Sequence, residues 1–205
     1  MEKIGDFLRY IYHNNISVIL AYYDKTKQIE YVCEFEKILK EKAGNNYSCV
    51  LDVYHQRILI YDDCAKEYIG YIFGFVDYGY SRGDIHETKL DIKYAVIKYN
   101  VYIGGEKIAY IDSSNQIIVE RDGIYVIDKS TKSLMKYSDY KLQWKTAIPV
   151  NYTQTYTFCP LMNYIGEPYP QGLIAVGNSF ELYHFYRESG EYYGHTHIKR
   201  QYEME

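Results

Sequence analysis

His184, His195 and His197 are the densest group of side chains able to hold a metal or move a proton. Successive strand residues point to opposite faces, so His195 and His197 share one face of a strand. Ser189-Gly190 marks a turn between them and His184. A two-residue turn sets His184 opposite His195. A four-residue turn sets it opposite Tyr193, on the same face, and a three-residue turn breaks the grouping. In the favourable registers Leu182, His184, Tyr186, Tyr193, His195 and His197 line one face. Tyr183, Phe185, Tyr192 and Ile198 line the other, which is expected to be core. Three imidazoles at strand spacing are a zinc ligand set with an open fourth position. The competing reading is a polar recognition face without metal, and it is the favoured one. Zinc on these histidines is the sole cofactor the sequence brings forward.

Other combinations carry less chemistry. Asp84, His86 and Glu87 supply an acid and a base in a loop, where such groups are commonly solvated. Arg82-Gly83-Asp84 spells an adhesion tripeptide, which a chain with no secretion signal reads as chance. The glycines match neither GxGxxG nor GxxxxGK[ST], so no phosphate cradle is indicated. Ser113-Ser114 and Ser130-Thr131 fall in turns with no histidine to activate them. No nucleophile stands out, and the reading leans away from an enzyme.

Tyrosine is the compositional outlier, 28 residues against 7 Phe and 1 Trp. A tyrosine ring favours strands and offers an interface a rigid body with a polar tip. Net charge is −4, which argues against a general nucleic-acid surface, although stacking of single strands on tyrosine stays open. Cys33, Cys49, Cys64 and Cys159 form no C-x-x-C pair, so free thiols are expected, with Cys49 and Cys64 buried. Met1–Tyr10 lacks a continuous apolar signal region, and no apolar run approaches the roughly 18 residues of a membrane span. A cytoplasmic protein is expected, with no membrane partner.

The elements that must position these residues are mostly hairpins. Tyr22–Val32, Ile60–Ile72, Val126–Ser138 and Phe185–Thr196 each read as strand, polar turn, strand. Three units, around Ser48–Phe73, Gln116–Ser138 and Gly172–Lys199, share a three-strand meander plan. Arg187-Glu188-Ser189-Gly190-Glu191 resembles the outer turns of β-propeller blades, although Asp24, Asp62 and Asp128 recur unevenly, unlike a true blade period. Leu173–Gly194 locally resembles bacterial toxin-immunity domains; the remainder does not follow that pattern, and no family is assigned.

Glu2–His13 has helical spacing at Ile4, Phe7, Leu8 and Ile11, with Asn14-Asn15 as its stop. Ile29–Phe35 alternates as a strand and leads into a helix near Glu34–Ala43. Lys93–Ile103 reads as one strand before a Gly104-Gly105 turn. Ile58, Ile60, Ile118, Ile124, Val126, Ile174 and Val176 are the expected core. Gly70–Asp84 and Pro149–Gly172 break the strand rhythm as long loops.

The reading is therefore a single β-rich domain over residues 1–205, an antiparallel meander of hairpin units with an N-terminal helix. The alternative is α+β with one antiparallel sheet. The expected function is non-enzymatic binding of a protein partner, as in toxin-immunity or counter-defence inhibitors. Its surface is placed at Phe75, Tyr78, Tyr80, Arg82, Tyr186 and Tyr193. The alternative is an enzyme or small-ligand binder built on the histidine face.

Overall fold

The structure, a computed structural model, describes residues 2–20, 25–52, 54–76, 80–81, 84–85, 88–110, 117–120, 122–149, 157–158, 172–177 and 181–197. The fold is mostly antiparallel β, arranged as hairpin meanders, with two helices. Contacts divide the chain into two compact units, Met1–Ala109 and Tyr110–Glu205.

The first unit begins with α1 (Glu2–His13), which buries Ile4, Phe7, Leu8 and Ile11 as its spacing requires. Asn15 ends it in a left-handed conformation at φ 50°. The Ile16 amide then bonds the Ile11 carbonyl at 2.9 Å and the Asn15 amide bonds Tyr12 at 3.2 Å. That pair of bonds is a Schellman cap, and Ile16, just beyond it, packs on the core.

After β1 (Val18–Leu20) comes α2 (Lys25–Ala43), which overturns both the first hairpin, Tyr22–Val32, and the strand Ile29–Phe35. The alternation there was ambiguous, because Phe35, Leu39 and Ala43 also recur every four residues. All three are buried, and Phe35 meets Phe7 of α1 edge-to-face at 5.4 Å. Burial of that helical stripe decides the contest against β propensity.

Both helices cover a sheet ordered β2 (Tyr47–Asp52), β3 (Arg57–Asp62), β4 (Glu67–Val76), β7 (Thr88–Ile97), β8 (Asn100–Ile103), β9 (Glu106–Tyr110), with β1 also pairing β7. Short strands β5 (Tyr80–Ser81) and β6 (Asp84–Ile85) pair with each other. Two expectations change here. The strand expected at Lys93–Ile103 is two strands, folded at Lys98-Tyr99, where both φ values are positive. No glycine announces that turn, which is why the pattern ran through it. The loop expected from Gly70 onward is strand as far as Val76. A side chain at Gly70 would meet the Val96 carbonyl at 2.1 Å, and one at Gly74 the Asp91 carbonyl at 2.3 Å. These glycines serve close backbone approach rather than loop freedom.

The second unit holds two four-stranded meanders. One is β10 (Ile117–Glu120), β11 (Gly123–Asp128), β12 (Ser133–Ser138) and β13 (Lys141–Ala147). The other is β14 (Thr157–Phe158), β15 (Leu173–Gly177), β16 (Glu181–Tyr186) and β17 (Tyr192–His197). β13 lay hidden in the sequence because its turn, Asp139-Tyr140, is another glycine-free pair at positive φ. Tyr125, Ile127, Leu134 and Trp144 of one sheet share a core with Ile174, Val176, Tyr183 and Phe185 of the other. Of the expected core residues, Ile58, Ile60, Ile124, Val126, Ile174 and Val176 are buried, and Ile118 is half-buried against this cluster.

Three hairpin turns are built alike. Residues 63–66, 129–132 and 187–190 each span four positions, and each ends left-handed, at Lys66, Lys132 and Gly190. Asp62 accepts the Cys64 and Ala65 amides; Asp128 accepts the Ser130 and Thr131 amides and both hydroxyls. The recurring hairpin is thus real for three of the four segments. Cys49 is buried as expected and Cys64 is exposed, because its turn projects it; Cys33 and Cys159 lie outside the residues whose side chains are described. Among the described residues, no helix is long and apolar enough to cross a membrane.

Candidate functional surface

The four-residue turn Arg187–Gly190 sets Phe185 opposite Tyr192. A bulge then shifts the register, so that His184 lies opposite Gly194, Tyr183 opposite His195, and Glu181 opposite His197. Paired residues share a face, and the extra residue changes which ones pair. Tyr183, Phe185 and Tyr192 keep their expected core-side face, but His195 and His197 join them. Leu182, His184, Tyr186 and Tyr193 occupy the opposite face. The three imidazoles therefore do not converge as the sequence suggested. The bulge is the reason, and no turn residue signals it.

Each histidine has its own setting. His184 is buried between Ala175 and Gly194 on the neighbouring strands, and its Nε2 lies 3.1 Å from the Thr196 hydroxyl. Burial, reinforced by the nearby His195, holds its imidazole below the ordinary histidine range. His195 and His197 are exposed, with rings perpendicular and 5.1 Å apart. His195 Nδ1 is 3.0 Å from the Tyr192 hydroxyl, and His197 Nδ1 is 3.3 Å from Glu181. Tyr183 donates its hydroxyl to the same Glu181. Among the described residues, no three His, Cys, Asp or Glu side chains are grouped to hold a metal ion.

On the opposite face Tyr186 and Tyr193 meet edge-to-face at 5.5 Å, and Tyr193 is 60% exposed. In the first unit, Phe75 is exposed at the end of a row of rings. It lies 6.0 Å from Phe73, which stacks on Tyr94 at 5.1 Å, which in turn meets Tyr71 at 6.3 Å. Arg57 sits 5.4 Å from the Tyr71 ring and Lys93 5.9 Å from Phe75. Burial raises the hydroxyl pKa of both Tyr71 and Tyr94. Tyr80 belongs to β5, opposite Ile85. Tyr78, Arg82, His86 and Glu87 lie outside the described residues, and nothing of the Tyr80 or Asp84 side chains is described.

Two arrangements escaped the sequence reading. At the β2–β3 tip, Asp52 accepts from Arg57 Nε at 2.9 Å and contacts His55 Nδ1 at 2.8 Å. Burial alone would raise the Asp52 carboxyl, but these bonds hold it below the usual range. They brace a turn whose Tyr54 is 87% exposed.

The second arrangement pins the two sheets of the second unit. Lys136 Nζ bonds Asp122 at 2.8 Å and the Arg187 carbonyl at 3.0 Å. Arg187 returns to Asp122 at 2.9 Å, Trp144 Nε1 donates to the Arg187 carbonyl at 3.0 Å, and Tyr125 donates to Asp122 at 2.6 Å. Burial opposes ionisation of Asp122, yet Lys136 and Tyr125 hold its carboxyl below the usual range. Its members are 65 residues apart in sequence (Asp122 to Arg187), so no local pattern reveals it.

No family model matches the chain, and no curated protein matches it in sequence.

Proposed function

We propose that the chain is a non-enzymatic, protein-binding protein of inhibitor type, of the kind that neutralises a toxin or a host-defence factor. The observation that carries this reading is the exposed pair Tyr186 and Tyr193, held edge-to-face across two strands. Each ring is already placed by its strand, so a partner burying it loses little conformational entropy. Tyrosine anchors are typical of interface hot spots. Phe75, flanked by Lys93, offers a second anchor of the same kind in the first unit.

The test is a partner captured from the native host and titrated calorimetrically. Tyr186→Ala with Tyr193→Ala should weaken binding by at least about 2 kcal/mol while leaving the melting temperature nearly unchanged. Unchanged affinity would remove this pair from the interface. Inhibition should appear as a stoichiometric loss of the partner's activity, and a partner whose activity is untouched would sink the inhibitor reading.

A further inference from the structure

A histidine that ligates a metal usually gives its other ring N–H to a carboxylate, a carbonyl or water, which fixes the tautomer and presents one nitrogen to the ion. Two imidazoles of β17 have that arrangement. His195 and His197 lie where the ladder runs regularly, Tyr183 to His195, Leu182 to Thr196 and Glu181 to His197, so both side chains leave the same face. Both are exposed, and their rings are perpendicular with centroids 5.1 Å apart. Two imidazoles on one tetrahedral zinc, each bound at about 2.0 Å, hold their centroids roughly 5 Å apart. Each ring is braced from behind: His195 Nδ1 lies 3.0 Å from the Tyr192 hydroxyl, and His197 Nδ1 lies 3.3 Å from Glu181 Oε1. The other oxygen of Glu181 accepts the Tyr183 hydroxyl, so the brace is itself held in place.

We infer that His195 and His197 form a two-histidine chelate for a divalent transition-metal ion such as zinc, bound through their Nε2 atoms. With Nδ1 of each ring turned to Tyr192 or Glu181, Nε2 is the nitrogen that an outside ion can take. Imidazole suits zinc and copper, whereas magnesium prefers oxygen. Glu181 is a positioning residue here, not a ligand. By accepting the Nδ1 proton it sets the tautomer of His197, raises the basicity of Nε2 and places a negative charge behind the cation. The Tyr192 hydroxyl orients His195 without adding charge. Two imidazoles leave the remaining coordination positions to water or to a group on a bound molecule. This is not the three-imidazole site expected from the sequence, because the bulge puts His184 on the opposite face. It also goes beyond the partner-binding reading and does not depend on it, since Tyr186 and Tyr193 lie on that other face. A merely solvated histidine pair gives Glu181 no part in metal uptake, and the two readings separate there.

The experiment is calorimetric titration of the full chain with zinc alone at neutral pH, read beside nitrogen NMR of its histidines. The expected result is one zinc per chain, with the Nε2 signals of His195 and His197 moving to ligated positions while Nδ1 of each stays protonated. His195→Gln and His197→Gln should each weaken uptake by at least about tenfold. Glu181→Gln should weaken it by about tenfold with the stoichiometry kept, and should cost His197 its preference for a proton on Nδ1. His184→Gln should leave uptake within about threefold, and magnesium should not compete. No uptake by about 1 mM zinc, or uptake that the two outer histidine variants leave unchanged, overturns the proposal. Uptake unaltered in Glu181→Gln overturns it in favour of a solvated pair. If His184→Gln loses its near-ultraviolet dichroism, the spectrum of the unaltered chain decides: a zinc-dependent shift to a ligated His184 nitrogen overturns the two-histidine site.

Discussion

The two units solve one problem differently. Each has a sheet with an apolar face to cover. The first covers it with helices, and its core is aliphatic, built on Ile4, Leu8, Leu39, Ile58, Ile60 and Ile72 around the Phe7–Phe35 contact. The second covers sheet with sheet, and its core is aromatic, with Tyr125, Trp144, Tyr183 and Phe185. Large rings bring polar tips that must find partners inside. The network of Asp122, Lys136 and Arg187 answers that need for Tyr125 and Trp144. An aliphatic core can be closed by packing alone, whereas an aromatic one of this kind also requires a polar framework.

Removing one fully buried phenylalanine ring from each core tests the shared part of that contrast. Phe7→Ala and Phe185→Ala should each destabilise their unit by about 4 kcal/mol, measured by denaturant unfolding. Both rings are fully buried, so a loss under about 1 kcal/mol in either would show that its core closes around the gap.

The polar framework is where the units should diverge. Asp122→Ala strands Lys136, which is only 9% exposed, and should cost about 2 kcal/mol. Adding Lys136→Met should recover part of that loss, because the stranded ammonium is gone; no recovery would mean that Lys136 is not held by Asp122. Acid acts on the second unit through Asp122 of that framework and Asp128 of the turn at 129–132, and on the first unit through Asp52. Asp122 and Asp128 both have depressed carboxyl pKa values, so their stabilisation is present above the unfolded value, about 3.9, and is lost as pH falls through the folded values. An acid titration of stability should flatten in Asp122→Asn with Asp128→Asn. At the other extreme, burial and then Asp128 push the Tyr137 hydroxyl up to about 12. That contribution is full below the unfolded value near 10 and is lost as pH climbs from there towards 12.

The smallest effect concerns the shared turn. Lys66 and Lys132 occupy a left-handed position that Gly190 fills without strain. Lys66→Gly and Lys132→Gly should each stabilise by about 1 kcal/mol, and equal gains in the two units would show that the turn is indifferent to what covers its sheet. Gly190 cannot be exchanged in return, since a side chain there would lie 2.5 Å from the Trp144 ring.

The sequence was most legible where one local pattern had one meaning. α1 is written in Ile4, Phe7, Leu8 and Ile11, and the Gly104-Gly105 turn in its two glycines. It was opaque where two patterns overlapped, as over Ile29–Phe35, whose outcome depended on the burial of Phe35 and Leu39 by distant residues. Turns at Lys98-Tyr99 and Asp139-Tyr140 carry side chains where glycine or asparagine is the usual mark, so their hairpins left no signature. For the candidate surface, Tyr186 and Tyr193 were placed on a common face correctly. The separation of His184 from His195 and His197 turned on one unpaired residue, which strand periodicity does not encode. The clustering of Asp52, His55 and Arg57 depends on a hairpin whose ends only the fold brings together.

That unpaired residue works as a vernier between two arrangements of the same atoms. β17 is gripped by a single ladder, so a one-residue slip disturbs no second neighbour among the described strands. Melting the bulge into a regular ladder would set His184 opposite Tyr193 and Leu182 opposite His195, carrying both outer imidazoles to the His184 side. One insertion after Tyr193 would write the same change into the chain permanently. A surface chemistry that ordinarily takes several substitutions to assemble is stored here one notch away, in residues already present.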